Sequence, residues 1–176
     1  MIRLIACIDL RGNIGKDNDL LFKIPQDMEF FKDKTIGYNV LMGLNTWDSL
    51  PKKAKPLPLR HNIIVSQDTK RLVEIKQDVE FASNVETHSD LETLLKEKSN
   101  FQGDMLYVIG GASVYNWFID RELIDEAYLT IVYTTAEDAD ATINVERLIR
   151  QFNKRDFLKS FEYNGMGVEV CRLYKE

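Results

Sequence analysis

The acidic residue in the segment KIPQDMEFFK is the first candidate for chemistry in this sequence. Asp27 stands two residues after Pro25, and Phe31 lies one helical turn further on. Residues four apart share one face of a helix, so the carboxylate and the phenyl ring are expected side by side. A carboxylate in an apolar cleft has a raised pKa and two acceptor oxygens, which suits a planar ligand edge with two N–H donors. An exposed charge at a helix start is the alternative, and it is the default for any single acid.

Two glycine-containing segments could hold phosphate groups. Gly110 and Gly111 end the apolar run MLYVIGG, and Gly43 ends the run YNVLMG. A helix that starts after such a strand presents free N–H groups and the positive end of its dipole to a ligand. Two such helix starts, the second with Asn45 and Thr46, could hold two parts of one dinucleotide. Tight turns and well-capped helices without a ligand are the alternative, because the GxGxxG motif is absent.

A third candidate, Arg60, follows the proline-rich segment PKKAKPLPLR. A guanidinium can bind a carboxylate through two parallel hydrogen bonds. Most arginines are solvated surface groups, so that alternative stays open from the sequence.

The elements that must position these residues alternate between strands and helices. This pattern predicts one α/β domain over residues 1–176, with a mainly parallel central sheet and a C-terminal antiparallel hairpin that turns at Asn164-Gly165. Residues 9–23 are predicted to be a loop. Strands are predicted over 2–8, 38–43, 61–66, 79–83, 105–111 and 126–133, and helices over 25–34, 45–50, after a Ser89–Glu92 capping box, after Gly111 and over 145–153.

Composition excludes several classes of function. The net charge of −5 argues against a nucleic-acid-binding surface and gives no support for binding to an anionic membrane. Cys7 and Cys171 are predicted to be buried thiols in a reducing compartment. His61 and His88 belong to no ligand-spaced cluster, so we expect no metal site. The N-terminal apolar run is too short for a leader or a membrane span, and we expect a cytoplasmic monomer.

Seven segments in order resemble the dihydrofolate reductase family: LIACID…NIGKDNDLLFKIPQDMEFFK, VLMGLNTWDSL, PLPLRHNIIVS, YVIGGASVYNWF, AYLTIV, DADAT and the final hairpin. The resemblance implies a three-layer dihydrofolate reductase-like fold. It also implies reduction of 7,8-dihydrofolate to tetrahydrofolate with NADPH, a place in one-carbon metabolism and a target for antifolates.

The resemblance assigns roles residue by residue. It implies that Asp27 binds the pterin with support from Thr130, that Arg60 binds the glutamate tail, and that the Gly110–Gly111 peptide is cis. Residues 9–24 match a mobile lid that Asp140 helps to hold. The catalytic residues implied are Asp27, Leu20, Phe22, Thr130 and Tyr115. The substrate residues implied are Ile5, Cys7, Asp27, Met28, Phe31, Lys32, Ser49, Leu50, Leu57, Arg60, Ile109 and Thr130. The cofactor residues implied are Cys7, Ile14, Gly15, Leu20, Gly43, Asn45, Thr46, Ser66, Gln67, Ile109, Gly110, Gly111, Ala112, Ser113, Val114 and Tyr115.

The sequence departs from the family pattern at Leu21-Phe22, Leu44 and Gln67. Leu21-Phe22 stands where Pro-Trp is usual, so no indole N–H is available to hold a water near the pterin. Leu44 replaces the usual basic residue after Gly43, and Gln67 stands near a position that often contacts the 2′-phosphate. We therefore expect NADPH to be preferred over NADH by a smaller margin than usual.

Two other functions are compatible with the same fold. One is the reductase of riboflavin synthesis, which would need a ribose-phosphate site. The other is a non-catalytic binding or assembly module. The Asp27 and Arg60 pattern favours folate over the first, and the intact Asp27–Thr130 pair argues against the second.

Overall fold

The computed structural model describes residues 1–79, 83–97 and 105–176. The described residues form strands and α-helices that alternate between residues 19 and 132, with one 3-10 turn at Lys52–Ala54. The strands are β1 (Ile2–Asp9), β2 (Asn13–Lys16), β3 (Asp19–Leu20), β4 (Asn39–Gly43), β5 (His61–Val65), β6 (Val85–His88), β7 (Leu106–Gly110), β8 (Glu126–Val132), β9 (Ala141–Thr142), β10 (Lys154–Tyr163) and β11 (Met166–Tyr174). The helices are α1 (Pro25–Thr35), α2 (Leu44–Ser49), α3 (Thr69–Asp78), α4 (Leu91–Glu97), α5 (Ala112–Asp120) and α6 (Val145–Arg150).

An eight-stranded sheet in the order β10-β11-β8-β1-β7-β4-β5-β6 forms the centre of the fold. β1 runs parallel to both β7 and β8, whereas β11 runs antiparallel to β8 and β10. The hairpin between β10 and β11 turns at Asn164 and Gly165, both with positive φ, as a two-residue turn of right-handed twist requires. The predicted mainly parallel sheet with an antiparallel C-terminal hairpin is therefore confirmed.

Side chains alternate between the two faces of the sheet along each strand, and helices pack against the apolar side chains on both faces. Leu4 of β1 packs into a core cluster with Phe118 of α5, and the same cluster contains residues of α4 and α6. Its neighbour Ile5 belongs to a second cluster with Trp47 of α2, which also contains residues of α1 and α3. The predicted three-layer arrangement is confirmed.

Three predictions about local structure are wrong or incomplete. Helix α3 was not predicted, because only Leu72 and Ile75 of its ten residues are buried. Residues 80–82 of the strand predicted over 79–83 lie outside the described residues, and the observed strand β6 comes later in the chain. The cap of α4 is Asp90, whose Oδ1 accepts from the Thr93 N–H at 2.7 Å, instead of Ser89.

The segment predicted as a loop over residues 9–23 contains two short strands. β2 pairs antiparallel with β3 and with β9, which gives a small three-stranded sheet. These strands have two to four residues and one partner is distant in sequence, so no local alternation of apolar and polar residues marks them.

Candidate active site

Asp27 and Thr130 meet at the point where the first turn of α1 passes over the sheet. The Thr130 hydroxyl donates to Asp27 Oδ1 at 2.6 Å. Pro25 opens the helix directly after Ile24, a residue with no exposed surface that packs against Val132 of β8. This packing anchors the start of the helix and leaves the carboxylate half-buried above the sheet.

Burial controls the ionisation of Asp27. It raises the pKa of the carboxyl, and this effect outweighs the Thr130 hydroxyl, the Lys159 ammonium and the Cys7 thiol, which all favour the charged form. The pKa of the Cys7 thiol is also raised, first by burial and then by the neighbouring Asp27 charge. The site therefore combines a carboxylate of raised pKa with a thiol that stays protonated at neutral pH.

Several apolar side chains predicted to contact the substrate pack together on the α1 side of the sheet. Ile5 and Leu57 are buried in the core cluster there, and Phe31, Leu50 and Ile109 are partly buried against it. Met28 and Lys32, also predicted to contact substrate, are exposed on the same helix. Phe22, predicted to act near the pterin, packs with Ile24, Val132 and Val168 beside Cys7.

Arg60 is buried, with 6% of its surface exposed. Its Nε donates to the Pro58 carbonyl at 3.0 Å and its Nη1 donates to Thr35 Oγ1 at 3.2 Å. The guanidinium carbon lies 5.9 Å from the centre of the Phe31 ring. Burial lowers the pKa of Arg60, and no carboxylate pairs with this cation within the described parts of the chain. A solvated surface arginine, the alternative left open by the sequence, is thus excluded.

A cavity of about 990 Å³ opens at the carboxyl ends of β1, β4, β5 and β7. Ligands of open α/β sheets bind at such an edge. Every residue predicted to bind the cofactor lines this cavity, and Ser49 does so as well. They are Cys7, Ile14, Gly15, Leu20, Gly43, Asn45, Thr46, Ser66, Gln67, Ile109, Gly110, Gly111, Ala112, Ser113, Val114 and Tyr115.

The cavity wall requires glycine where α5 begins. Gly110 has φ +134°, and a Cβ there would lie 3.0 Å from Thr46 Oγ1 and 3.6 Å from the Tyr115 ring. The Gly110–Gly111 peptide is cis, as predicted. Tyr115 is held in place because its hydroxyl donates to the Ile5 carbonyl at 2.7 Å. The result is a side-chain-free wall beside the N-terminus of a helix, a surface that fits a phosphate-bearing ligand.

Hydrogen bonds fasten the predicted lid to the segment before β9. The Asp140 carboxylate accepts from the Asp17 N–H at 2.9 Å, and the Asp140 N–H donates to the Gly15 carbonyl at 3.1 Å. At the base of the lid, the fully buried Asp9 carboxylate accepts from the backbone N–H groups of Asn13 and Ala136. Burial opposes ionisation of Asp9, but these and further hydrogen bonds lower its pKa overall.

Sequence reasoning missed several residues of the site. The small sheet of β2, β3 and β9, with the turn between β2 and β3, forms part of the cavity wall and contributes Lys16, Asn18, Asp19 and Ala141. Lys159 acts on Asp27 from β10, where the pairing with β11 is irregular between Phe157 and Lys159. No sequence signal marks this lysine, because its position depends on the hairpin's register.

The structure joins the predicted acid to its threonine and puts the glycine pair in the wall of a cavity at the ends of the strands of a mainly parallel sheet. This defines an α/β protein with a ligand cleft at its strand ends. The family model described as "Dihydrofolate reductase" matches residues 1–169. The chain belongs to the dihydrofolate reductase family.

Individual relatives show the same likeness. The dihydrofolate reductase of Mycobacterium leprae is 36% identical over 65% of this chain and 63% of the relative. That of Buchnera aphidicola is 34% identical over 79% of this chain and 73% of the relative. That of Saccharomyces cerevisiae is 28% identical over 97% of this chain and 84% of the relative. The chain thus spans less than two thirds of the length of the mycobacterial relatives that it matches.

Across residues 1–79, 83–97 and 105–176, no helix is long and apolar enough to cross a membrane. The same ranges contain no group of three or more histidine, cysteine, aspartate or glutamate side chains placed to hold a metal ion.

Proposed function

We propose that this protein reduces 7,8-dihydrofolate to 5,6,7,8-tetrahydrofolate, with NADPH as the source of the hydride. The observation that carries this proposal is the half-buried Asp27 carboxylate, which accepts from the Thr130 hydroxyl at 2.6 Å, in a fold that also has a cavity of about 990 Å³ at its strand ends. The names and sequences of the relatives support the same reaction.

On the substrate side, the chain's residues bind both ends of a folate. Asp27 has two acceptor oxygens for the N–H donors along one edge of the pterin, and Thr130 keeps the carboxylate in orientation. Phe31, Leu50 and Leu57 enclose the aromatic part of the substrate. The buried Arg60, without a carboxylate partner in the described chain, binds a carboxylate of the glutamate tail.

On the cofactor side, Gly110, Gly111 and the N-terminus of α5 hold the diphosphate, and Thr46 lies against the glycine pair. NADPH supplies a hydride when bound, and the protein orients the cofactor and substrate and excludes water from the site. Residues 9–24 cover the reacting atoms and exclude water. Solvent delivers the proton to N5 of the pterin, while the Asp27 charge fixes the ring and favours its protonated form.

The proposal is tested by following the absorbance of NADPH after dihydrofolate is added. Wild-type protein should consume NADPH, and Asp27→Asn should lose about 100-fold or more in turnover at pH 7. The loss should shrink at low pH, where the substrate is already protonated. Asp33→Asn, an exposed acid on the same helix, is the matched control and should behave as wild type. Full activity of Asp27→Asn at pH 7 would refute the proposed role.

The same assay distinguishes the alternative functions. A riboflavin-pathway reductase would leave dihydrofolate unchanged and consume NADPH with a ribosylated pyrimidine substrate. A binding or assembly module would consume NADPH with neither substrate. We place the protein in the cytoplasm as a monomer, which size-exclusion chromatography at several protein concentrations would test.

We also propose that NADPH is preferred over NADH by a reduced margin. Leu44 and Gln67 line the cavity and carry no charge. The nearby Arg71 is bound to Asp48 at 2.8 Å and to Glu74 at 2.7 Å, which compensates its charge. Equal catalytic efficiency with the two cofactors would show that even this reduced preference is wrong.

A further inference from the structure

The fully buried Asp9 carboxylate lies at the end of β1, where the chain enters the small sheet. Its Oδ1 accepts from the backbone N–H groups of Arg11 at 2.8 Å and Asn13 at 2.9 Å. Its Oδ2 accepts from the Asn13 side-chain amide and from the Ala136 N–H, both at 2.8 Å. Each oxygen of this acid therefore has two protein donors, and one of the four comes from a segment 127 residues further along the chain.

The Asn13 side chain extends this contact to β9. Asn13 is buried and is the first residue of β2. Its amide also donates to the Ala136 carbonyl at 3.2 Å, and its Oδ1 accepts from the Thr142 hydroxyl at 2.7 Å. Thr142 belongs to β9, the strand that pairs with β2. One side chain thus holds the start of β2 to Asp9, to the segment at Ala136 and to β9.

The position of β2 matters because this strand forms part of the wall of the large cavity. Ile14, Gly15 and Lys16 line that cavity. β2 has only four residues, and its pairing with β9 is irregular between Asn13 and Gly15. A short and irregular ladder gives a strand little stability of its own, so the buried contacts at its first residue carry much of the work of fixing it.

We propose that Asp9 is a positioning residue, which acts through Asn13 to fix β2 in the wall of the cofactor cavity. Because Asp9 has no exposed surface, it acts on a ligand only through the strand that it holds. This role rests on the proposed binding of NADPH in the cavity. The alternative is a carboxylate that only closes the turn between β1 and β2, for which the two bonds to Oδ1 would suffice.

Amide hydrogen exchange of the ligand-free protein tests whether Asp9 fixes β2. In Asp9→Asn an N–H₂ group replaces one oxygen, so two of the four donors lose their acceptor. The amides of residues 14–16 should then exchange about tenfold faster or more, while those of β1 and β8 keep their wild-type rates. Asn13→Ala removes only the side-chain contacts and should give a smaller increase at the same amides. This milder variant decides the question if Asp9→Asn does not fold.

Cofactor affinity is the second measurement. The Kd for NADPH, titrated without substrate, should rise roughly fivefold or more in Asp9→Asn and less in Asn13→Ala. KM for dihydrofolate should stay near the wild-type value, because Asp27 and Arg60 lie on other elements. Asp125→Asn is the matched control, since this exposed carboxylate accepts from the Ile2 N–H at 2.7 Å at the opposite end of β1. It should change neither the exchange of residues 14–16 nor the Kd.

Unchanged exchange at residues 14–16 in folded Asp9→Asn, or in Asn13→Ala if the first variant does not fold, would overturn the proposal. Equal acceleration in β1, β2 and β8 would also overturn it, because that result indicates a purely structural acid. Faster exchange with an unchanged Kd for NADPH would do the same. If the wild-type protein bound no NADPH, the proposed cofactor would be wrong, and the exchange rates would still decide whether Asp9 fixes β2.

Discussion

Thr130 donates its hydroxyl hydrogen to Asp27 at 2.6 Å, although 103 residues separate the two in the chain. The contact joins the first turn of a helix to an inner strand of the sheet. Because Asp27 is largely buried, each hydrogen-bond donor to its carboxylate has a larger effect on the pKa of this acid than it would have in water.

Replacement of Thr130 by valine should weaken catalysis without removing it. The variant keeps the shape of the side chain but loses a charge-assisted hydrogen bond, so kcat/KM for dihydrofolate should fall roughly tenfold. Steady-state kinetics at pH 7 would measure this. Thr130→Ser retains the hydroxyl and should stay close to wild type. Equal losses in the two variants would show that packing, and not the hydrogen bond, explains the effect.

Asp27→Asn should be more stable than wild type at neutral pH. The folded-state pKa of Asp27 lies above its unfolded value, so the folded state binds the proton more tightly and wild-type stability falls as pH rises through this interval. Above it, the neutral amide should raise the free energy of unfolding, because it removes the buried charge. Urea unfolding at pH 7 and at pH 3.5 measures this difference.

The stability advantage of Asp27→Asn over wild type should shrink at pH 3.5, because the wild-type carboxyl is then largely protonated in both the folded and the unfolded state. A variant less stable than wild type at pH 7 would contradict the argument that burial dominates the ionisation of this acid.

Arg60→Gln should impair substrate binding selectively. The buried guanidinium has N–H groups left to donate to a carboxylate, besides those bonded to Pro58 and Thr35. Its loss should therefore raise KM for dihydrofolate about tenfold or more and leave kcat little changed. A dihydropterin without a glutamate tail should show no such difference between variant and wild type. Arg150→Gln, an exposed arginine paired with Glu146, serves as the control. If the truncated substrate were affected equally, Arg60 would have a purely structural role.

Gly110→Ala should damage the cofactor site. The added methyl group would lie 3.0 Å from Thr46 Oγ1, at a φ of +134° that alanine rarely adopts. KM for NADPH should rise about tenfold or more, with some loss of stability. Gly165→Ala is the matched control, because Gly165 also has a positive φ but a Cβ there would meet no atom within 4 Å. It should lose stability and retain its KM for NADPH, which separates backbone strain from damage to the site.

Much of the fold could be predicted because its inner strands are continuous apolar runs between turn residues. The runs around Ile5, Leu41 and Val108 predict a mainly parallel sheet that is buried on both faces. Helix α3 and strand β6 could not be predicted in the same way. α3 buries only Leu72 and Ile75, and every residue of β6 is only partly buried, so neither shows a clear period.

The candidate site, like the fold, could be predicted from the sequence only in part. Asp27, Thr46 and the Gly110–Gly111 pair stand in segments that match the family pattern in the same order. The structure places Thr46 and the glycine pair on the cavity wall and Asp27 against Thr130. Arg60 could not be distinguished from a surface arginine, because its burial depends on contacts with Thr35 and Phe31 of a different element. Lys159 depends on the register of a hairpin, which sequence patterns leave undetermined.

The buried acid at the helix start has a consequence for inhibitor chemistry. Since burial makes the negative charge of Asp27 unfavourable, a heterocycle basic enough to carry its own proton would relieve that cost by forming a charged pair. Among inhibitors of equal shape, the more basic compound should therefore bind more tightly. Its affinity should be greatest in the pH range where the acid has lost its proton and the drug has kept its own.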